Sequence, residues 1–262
     1  MATLVLVVSS LVSVAGQSDA EGHAHDTLAR FSTAAGKLPA SWEPLRFPKI
    51  DRPTRYAIER DEATGDFVVA AVADDSAAGL IHRTEIDLRS HPILRWRWKI
   101  DRVLEAGDAR SKQGDDYPAR IYLTFEPKSD SLSFFERAAL RLARSIYGDV
   151  PSRAINYIWA SKLPRGKHVD SAYVGRFVKL LAVESGDEHA GTWRAAERDV
   201  AADYEKLFGG ELPPLAGVAL MTDTDDTGES VRAWYGDVEF VSRGEASLSR
   251  DAAAGSRSGA AR

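Results

Sequence analysis

The sequence predicts a mainly β domain, an antiparallel β-sandwich with one or two helices packed on it. About nine short runs with strand chemistry follow one another between Tyr56 and Phe240, separated by turn-forming residues. The run at 94–100 alternates most cleanly. One of its faces carries Leu94, Trp96, Trp98 and Ile100, and the other carries Arg95, Arg97 and Lys99. A strand with one aromatic and one cationic face buries the aromatic side, which predicts two sheets around a shared core.

The predicted strands come in a simple order along the chain. They are 56–59, 67–73, 80–86, 94–100, 120–125, 155–160, 177–183, 218–222 and 231–240. The first two are separated by the segment 61–65, whose Asp, Thr and Gly residues are typical of a turn. Most runs are rich in β-branched and aromatic residues, which fit a pleated, half-buried surface.

Two segments have helical periodicity instead. The segment 133–147 spaces Phe134, Phe135, Ala138, Ala139, Leu142 and Ile146 as one face of a helix. The segment 193–208 does the same with Trp193, Glu197, Val200, Tyr204 and Phe208, and Gly209-Gly210 follows as a C-terminal stop. We expect both helices to pack on the sandwich.

The two ends of the chain differ in composition from this middle part. An apolar run at 4–14 is followed by small residues, and Ser13-Val14-Ala15 resembles the small-x-small pattern of a signal-peptidase site. At about 11 residues the run is shorter than the roughly 20 that a membrane-spanning helix needs. We therefore predict a signal peptide at 1–20, a linker at 21–37, the β-sandwich at 38–243 and a disordered tail at 244–262. The protein is then periplasmic or secreted, without a stable membrane span.

Composition excludes several classes of function. The net charge is −5 with a pI near 5.7, so no basic field exists to hold nucleic acid. The absence of cysteine excludes disulfides, thiolate metal sites and cysteine nucleophiles. The six histidines show no metal-ligand spacing, and no nucleophile elbow, phosphate loop or dinucleotide fingerprint occurs. We expect a monomer without a nucleotide cofactor.

An acidic turn is the most suggestive feature of the sequence. It places Asp223, Asp225, Asp226 and Glu229 within seven residues, between two predicted strands. The start of the turn matches a calcium loop, but Trp234 stands where that loop needs its bidentate acid, so this is not an EF-hand. Three interpretations stay open. The carboxylates cap a hairpin, hold a structural cation such as Ca²⁺ through Asp223, Asp225 and Asp226, or contact a ligand directly.

The polar sides of the strands supply the other candidate residues. With Trp96 and Trp98 predicted to be in the core, the functional surface is the charged side. Our hypothesis is a non-catalytic binding protein for a carbohydrate or cell-envelope glycan. Its candidate ligand contacts are Arg97, Arg120, Tyr122, Asn156, Asp223 and Asp225.

Two alternatives use other residues. The segment 114–120 carries Asp115 and Asp116 shortly before Arg120, which suits an internal ion pair or a substrate clamp. If Asp116 lies near Asp225, the two carboxyls can act as the acid and base of a glycan hydrolase. A structural envelope protein that docks a partner through the 133–147 helix is the third interpretation.

Ordered motifs along the chain resemble one bacterial family, domain of unknown function family 3047. They are Leu38-Pro39 with Trp42, 76–80, 92–99, 114–122, 156–159, Asp199-Val200 with Asp203-Tyr204, 222–227 and 234–237. The 133–147 stretch is longer than the corresponding loop usually is, and Asp199 stands where Asn is expected. The resemblance implies a jelly-roll sandwich like those of galactose-binding-like modules, and it brings no established reaction.

Overall fold

In the computed structural model, residues 26–47, 49–126, 137, 141 and 152–247 are described. They form thirteen strands in two sheets, so the prediction of a mainly β protein is confirmed. All nine predicted strands are present, and the four additional strands are short. None of the helices in these ranges is long and apolar enough to cross a membrane.

The six-stranded sheet has the order β11-β6-β13-β4-β3, with β1 also paired to β13. All its strand pairs are antiparallel. Its strands are β1 (Asp26–Ala29), β3 (Arg55–Arg60), β4 (Phe67–Asp74), β6 (Ile93–Ile100), β11 (Arg194–Asp199) and β13 (Ser230–Val241).

The seven-stranded sheet has the order β2-β5-β12-β7-β8-β10-β9. Its neighbours are antiparallel except for β8 and β10, which run parallel, so this sheet is mixed. Its strands are β2 (Glu43–Leu45), β5 (Ala77–Ile86), β7 (Arg120–Phe125), β8 (Arg153–Ala160), β9 (His168–Ser171), β10 (Gly175–Ser185) and β12 (Leu215–Asp223).

The core between the two sheets is built around tryptophan and tyrosine rings. Trp96 stacks on Tyr157 of the other sheet at 5.5 Å, and Trp98 meets Trp159 at 5.8 Å between ring centroids. Trp96 is 3% exposed and Trp98 is fully buried, which confirms that the alternation of β6 points its aromatic face inward. The hydroxyls of Tyr235 and Thr222 also lie 2.8 Å apart, joining β13 to β12.

The predicted helix at 193–208 is wrong in its first half. Residues 194–199 form β11, which pairs with β6 and is held by an ion pair of 2.8 Å between Arg95 Nε and Glu197 Oε2. The helix α1 spans only Val200–Phe208, and the Ala202 amide donates to Asp199 Oδ1 at 3.0 Å as its N-terminal cap. The basic residues on the outer side of β6 need acidic partners. Glu197 reaches Arg95 because residues 194–199 form a strand that pairs with β6.

The ends of the domain also differ from the predicted boundaries. The folded part begins by Asp26, inside the predicted linker, because β1 pairs with β13 and Phe31 is fully buried in the core. At the other end, 243–247 form a helical turn that buries Ala246 against Ile93 and Val241. The predicted signal peptide and most of the tail lie outside the described residues, and so does the 133–147 segment except for the helical, exposed Arg137 and Arg141.

A buried carboxylate fixes the turn between β3 and β4. Asp61 is 6% exposed and accepts hydrogen bonds from Lys99 Nζ at 2.6 Å and Trp193 Nε1 at 3.1 Å. The amides of Ala63 and Thr64 donate to its other oxygen at 3.1 and 3.0 Å. Burial alone would raise the pKa of Asp61, but the hydrogen bonds from Lys99, Thr64 and Trp193 outweigh it and lower the pKa to about 2.

This lowered pKa predicts a pH-dependent contribution to stability. Since the folded pKa lies below the unfolded value, the ionised carboxylate stabilises the fold by about 2 kcal/mol above roughly pH 4. That contribution is lost as the pH falls towards 2. Asp61→Asn should therefore cost about 2 kcal/mol in urea unfolding at neutral pH, and about 1 kcal/mol less at roughly pH 3. The exposed Glu62→Gln is the matched control, and a cost for Asp61→Asn that does not change with pH would contradict this assignment.

Candidate functional site

Four of the six predicted ligand contacts lie on the outer face of the seven-stranded sheet. Ile121 and Leu123 of β7 point into the core, so Arg120 and Tyr122 point outward. Tyr122 pairs directly with Asn156 of β8, and Arg120 makes an ion pair with Asp223 at the end of β12. We call Arg120, Tyr122, Asn156 and Asp223 the polar face. Tyr122 is partly exposed, whereas Arg120, Asn156 and Asp223 are 7%, 1% and 2% exposed.

The structure does not bring Arg97 to this face. Arg97 lies on β6 of the other sheet, where its guanidinium pairs with Asp66 at 2.7 Å and stacks over the Trp193 ring at 4.9 Å. Arg97 therefore does not share one surface with the other candidate contacts, which our hypothesis expected it to do. Both arginines point outward from their own sheets, so the shared core separates them.

Next to the polar face, two segments bring five aspartates together. Asp115 and Asp116 come from the loop before β7, and Asp223, Asp225 and Asp226 come from the end of β12 and the turn after it. We call these five residues the acidic cluster. Within it, Asp116, Asp223 and Asp225 each offer a carboxylate oxygen, and these oxygens all lie within 4.8 Å of one another. The sequence predicted Asp226 in this set. Instead, Asp226 accepts a hydrogen bond from the Tyr173 hydroxyl, and Asp116 takes its place.

Backbone hydrogen bonds join the two segments of the acidic cluster. The Thr227 amide donates to Asp116 Oδ2 at 2.6 Å, and the Tyr117 amide donates to Asp223 Oδ1 at 3.2 Å. Within the loop before β7, Gly114 packs tightly against the backbone of the preceding turn at Asp108. A Cβ atom there would lie 2.5 Å from the Asp108 amide nitrogen, which is backbone and cannot rotate away.

The acidic cluster is electrostatically crowded. Burial would lower the pKa of Arg120, but Asp223 and Asp115 outweigh it and raise that pKa, so the guanidinium is permanently charged. Burial raises the pKa of Asp116 to about 6 against the opposing effect of hydrogen bonds from Thr227, and the charges of Asp225 and Asp226 add to the increase. Burial likewise raises the pKa of Asp115 to about 6, against the opposing pull of Arg120. One arginine does not offset five carboxylates.

Several buried polar atoms on or next to the acidic cluster and the polar face have no hydrogen-bond partner among the described residues. They are Asp116 Oδ1, Arg120 Nε, Asn156 Oδ1 and Thr227 Oγ1. An unsatisfied buried donor or acceptor costs about 1–3 kcal/mol, and native proteins leave few of them. These atoms are therefore candidates for contact with a ligand, an ion or ordered water.

Sequence reasoning missed two tyrosines at this site. Tyr117 donates from its hydroxyl to Asp115 Oδ1 at 2.7 Å, and its ring lies beneath Arg120. Tyr173 comes from the turn between β9 and β10, and Lys112 lies over its ring at 5.2 Å. The position of Tyr117 in the 114–120 segment was a usable signal. Nothing in the local sequence indicates that Tyr173 belongs to the site. It reaches Asp226 because of how the strands are ordered in the seven-stranded sheet.

A separate cavity of about 510 Å³ lies at the opposite end of β12. It is lined by the 85–89 segment, Arg153, Tyr204 and the 209–214 segment. Ile86 pairs with Leu215 at the start of β12, whereas Ala77 pairs with Asp223 at its end. The cavity therefore contains none of the predicted site residues, and it provides a control location for experiments on the acidic cluster.

Fold and site together define a mainly β protein with a carboxylate-rich site at one end of its larger sheet. The chain matches the family described as protein of unknown function (DUF3047) over residues 40–239, and it belongs to this family. The resemblance seen in the sequence motifs is thereby confirmed. A search of curated proteins finds no match to the chain.

Two solved structures are similar to the chain at low identity. A β-1,2-glucanase from Parabacteroides distasonis matches with a TM-score of 0.41 and 10% identity, over 84% of this chain and 25% of the glucanase. A cellulose-induced protein, Cip1, matches with a TM-score of 0.35 and 10% identity, over 80% of this chain and 95% of that one. The chain thus spans about a quarter of the glucanase. At these TM-scores neither likeness bears on function.

Proposed function

We propose that this protein is exported and binds a carbohydrate of the cell envelope, without catalysis, at the acidic cluster and the adjoining polar face. The observation that carries the proposal is the set of buried polar atoms without partners among the described residues, including Arg120 Nε and Asn156 Oδ1. Arg120 pairs with Asp223 of the acidic cluster, in which Asp225 and Asp226 are partly exposed. A polar ligand that reaches this end of the sheet finds both donors and acceptors.

The chemistry of the site suits a polyhydroxylated ligand. Sugar hydroxyls donate to carboxylates and accept from guanidinium groups, and such charge-assisted hydrogen bonds are the stronger ones. Asp225 and Asp223 supply acceptors, Arg120 supplies donors, and the rings of Tyr122 and Tyr173 offer apolar surface for a sugar face. Arg97 plays no part in this proposal.

The proposal includes a finer description of the fold as a jelly-roll sandwich of the galactose-binding-like kind. The interleaving of early and late strands supports it, since β12 lies between β5 and β7, and β13 lies between β6 and β4. Greek-key connections of this sort build jelly rolls. An alignment of strand order with galactose-binding-like modules tests it, and a different order of connections would refute it.

A thermal-shift screen of the full chain against neutral and acidic oligosaccharides, including cell-wall fragments, tests the binding proposal. A ligand at 100 times its dissociation constant stabilises the native state by about 2.7 kcal/mol, or roughly 5–10 °C for a domain of this size. We expect such a shift for at least one glycan. Asp225→Asn should abolish it, because this partly exposed carboxylate can be changed without opening the core.

The control variant is Glu85→Gln, which changes an exposed carboxylate at the separate cavity. It should keep the full glycan shift. A shift that survives Asp225→Asn and disappears in Glu85→Gln would place binding in the cavity and overturn the site assignment. If no glycan shifts the melting temperature of the folded protein, the carbohydrate proposal itself fails.

A glycan hydrolase is the second candidate, and one observation favours it. An oxygen of Asp116 and an oxygen of Asp225 lie no more than 4.8 Å apart, so these oxygens are at or inside the roughly 5–5.5 Å carboxyl separation of retaining glycosidases. A general acid also needs a raised pKa, and burial raises that of Asp116 to about 6. The test is release of reducing ends from any glycan that binds. Turnover by the wild type that is lost in Asp116→Asn would establish hydrolysis, and its absence supports binding alone.

A further inference from the structure

We propose that Asp116, Asp223 and Asp225 together hold one hard divalent cation, with Ca²⁺ the best match. Since this site is built entirely from the carboxylates of the chain, it does not depend on glycan binding. It also differs from the cation set that the sequence suggested, because Asp116 from a distant loop replaces Asp226.

The spacing of the three carboxylates fits a single ion. Ca²⁺ binds oxygen ligands at about 2.3–2.6 Å, so two oxygens on opposite sides of one ion lie at most roughly 5 Å apart. The three oxygens lie within 4.8 Å of one another. One Ca²⁺ placed among them is within reach of one oxygen from each carboxylate. Both Asp223 oxygens already accept, Oδ1 from the Tyr117 amide and Oδ2 from Arg120, so the ion shares one of them.

A buried acceptor without a partner gives independent support. Asp116 is 1% exposed, and its Oδ2 already accepts from the Thr227 amide. Its Oδ1 has no partner within the part of the chain that the structure describes. A buried carboxylate oxygen in that state needs either a proton or a cation, and two further carboxylates lie beside it.

The charges around the three carboxylates favour the cation. Asp115 and Asp226 add negative charge nearby, and Arg120, which pairs with Asp223, offsets only one of the five carboxylates. Asp225 and Asp226 belong to a turn that is fixed at both ends. There the Thr224 amide donates to the Ser76 carbonyl at 2.8 Å, and the Gly228 amide donates to the Thr224 carbonyl at 2.9 Å. A preformed set of oxygens loses little conformational entropy when it takes an ion.

Calorimetric titration of the chelator-treated full chain with CaCl₂, without any sugar present, tests the site. We expect one Ca²⁺ per chain, with a dissociation constant on the order of 10⁻⁴–10⁻³ M, as in extracellular modules, or tighter. Asp225→Asn should weaken binding by about tenfold or more, while Asp226→Asn should change it by less than about threefold. Terbium luminescence excited through Tyr117 and Tyr173 provides a second readout at the same site.

Two results would overturn the proposal. One is the absence of both binding heat and terbium emission from folded wild-type protein up to millimolar metal. The other is an Asp226→Asn variant that loses as much affinity as Asp225→Asn. The ion would then be attracted by the summed negative charge of the turn and not bound by the three assigned carboxylates. Because no sugar is used, a negative result leaves the carbohydrate proposal standing, and a failed glycan screen leaves the cation proposal standing.

Discussion

Arg120→Met is expected to destabilise the protein by about 3–5 kcal/mol, because it leaves the buried Asp223 carboxylate without its positive partner. Arg120 and Asp223 are 7% and 2% exposed, so water cannot take over the role of the guanidinium. Urea unfolding measures the loss. The single variant should also strengthen the repulsion among the carboxylates of the acidic cluster, since Arg120 forms an ion pair with Asp223.

A double-mutant cycle separates the charge effect from a packing effect. Adding Asp223→Asn to Arg120→Met removes the uncompensated charge, and it should restore a large part of the lost free energy of unfolding. If the loss in free energy of unfolding of the double variant instead equals the sum of the losses in the two single variants, the two side chains are not coupled. The importance of this ion pair for the fold would then be contradicted.

Trp98→Ala is expected to cost about 3–5 kcal/mol, because it opens a large cavity between the two sheets. Trp98 is fully buried and contacts Trp96 at 5.3 Å and Trp159 at 5.8 Å between ring centroids. The matched control is Trp98→Phe, which keeps most of the apolar volume. It also removes an indole N–H that has no partner among the described residues. We expect the phenylalanine variant to lose less than half as much stability, and similar losses in the two variants would contradict the packing explanation.

Long strands with one apolar face were predictable from the sequence. The alternation of β6 predicted that the strand face with Trp96 and Trp98 is buried, because a shift of one residue in register would turn every side chain of the strand to the opposite face. The short strands β1, β2 and β9 were missed, since three or four residues do not establish a period. The segment 194–199 was read as helix because Trp193, Glu197 and Val200 have helical spacing, and its pairing with β6 overrode that local pattern.

The candidate site was predictable only in part. The sequence indicated that Arg120, Tyr122 and Asn156 lie on a polar strand surface, and the register of β7 and β8 brings Tyr122 and Asn156 side by side. It could not assign Arg97 to the other sheet, because strand alternation gives the side of a strand and not the sheet to which it belongs. The meeting of Asp116 with Asp223 and Asp225 depends on contacts across more than a hundred residues, which local patterns do not encode.

Equilibrium binding of the glycan with the largest thermal shift tests the central claim most directly. Calorimetry should be run on the full wild-type chain, Asp225→Asn and Glu85→Gln, with reducing ends assayed in the same samples. The proposed binding site predicts one glycan per chain, an affinity at least about tenfold weaker in Asp225→Asn, unchanged affinity in Glu85→Gln, and no released reducing ends. Equal affinity in the wild type and Asp225→Asn would show that the acidic cluster is not the binding site.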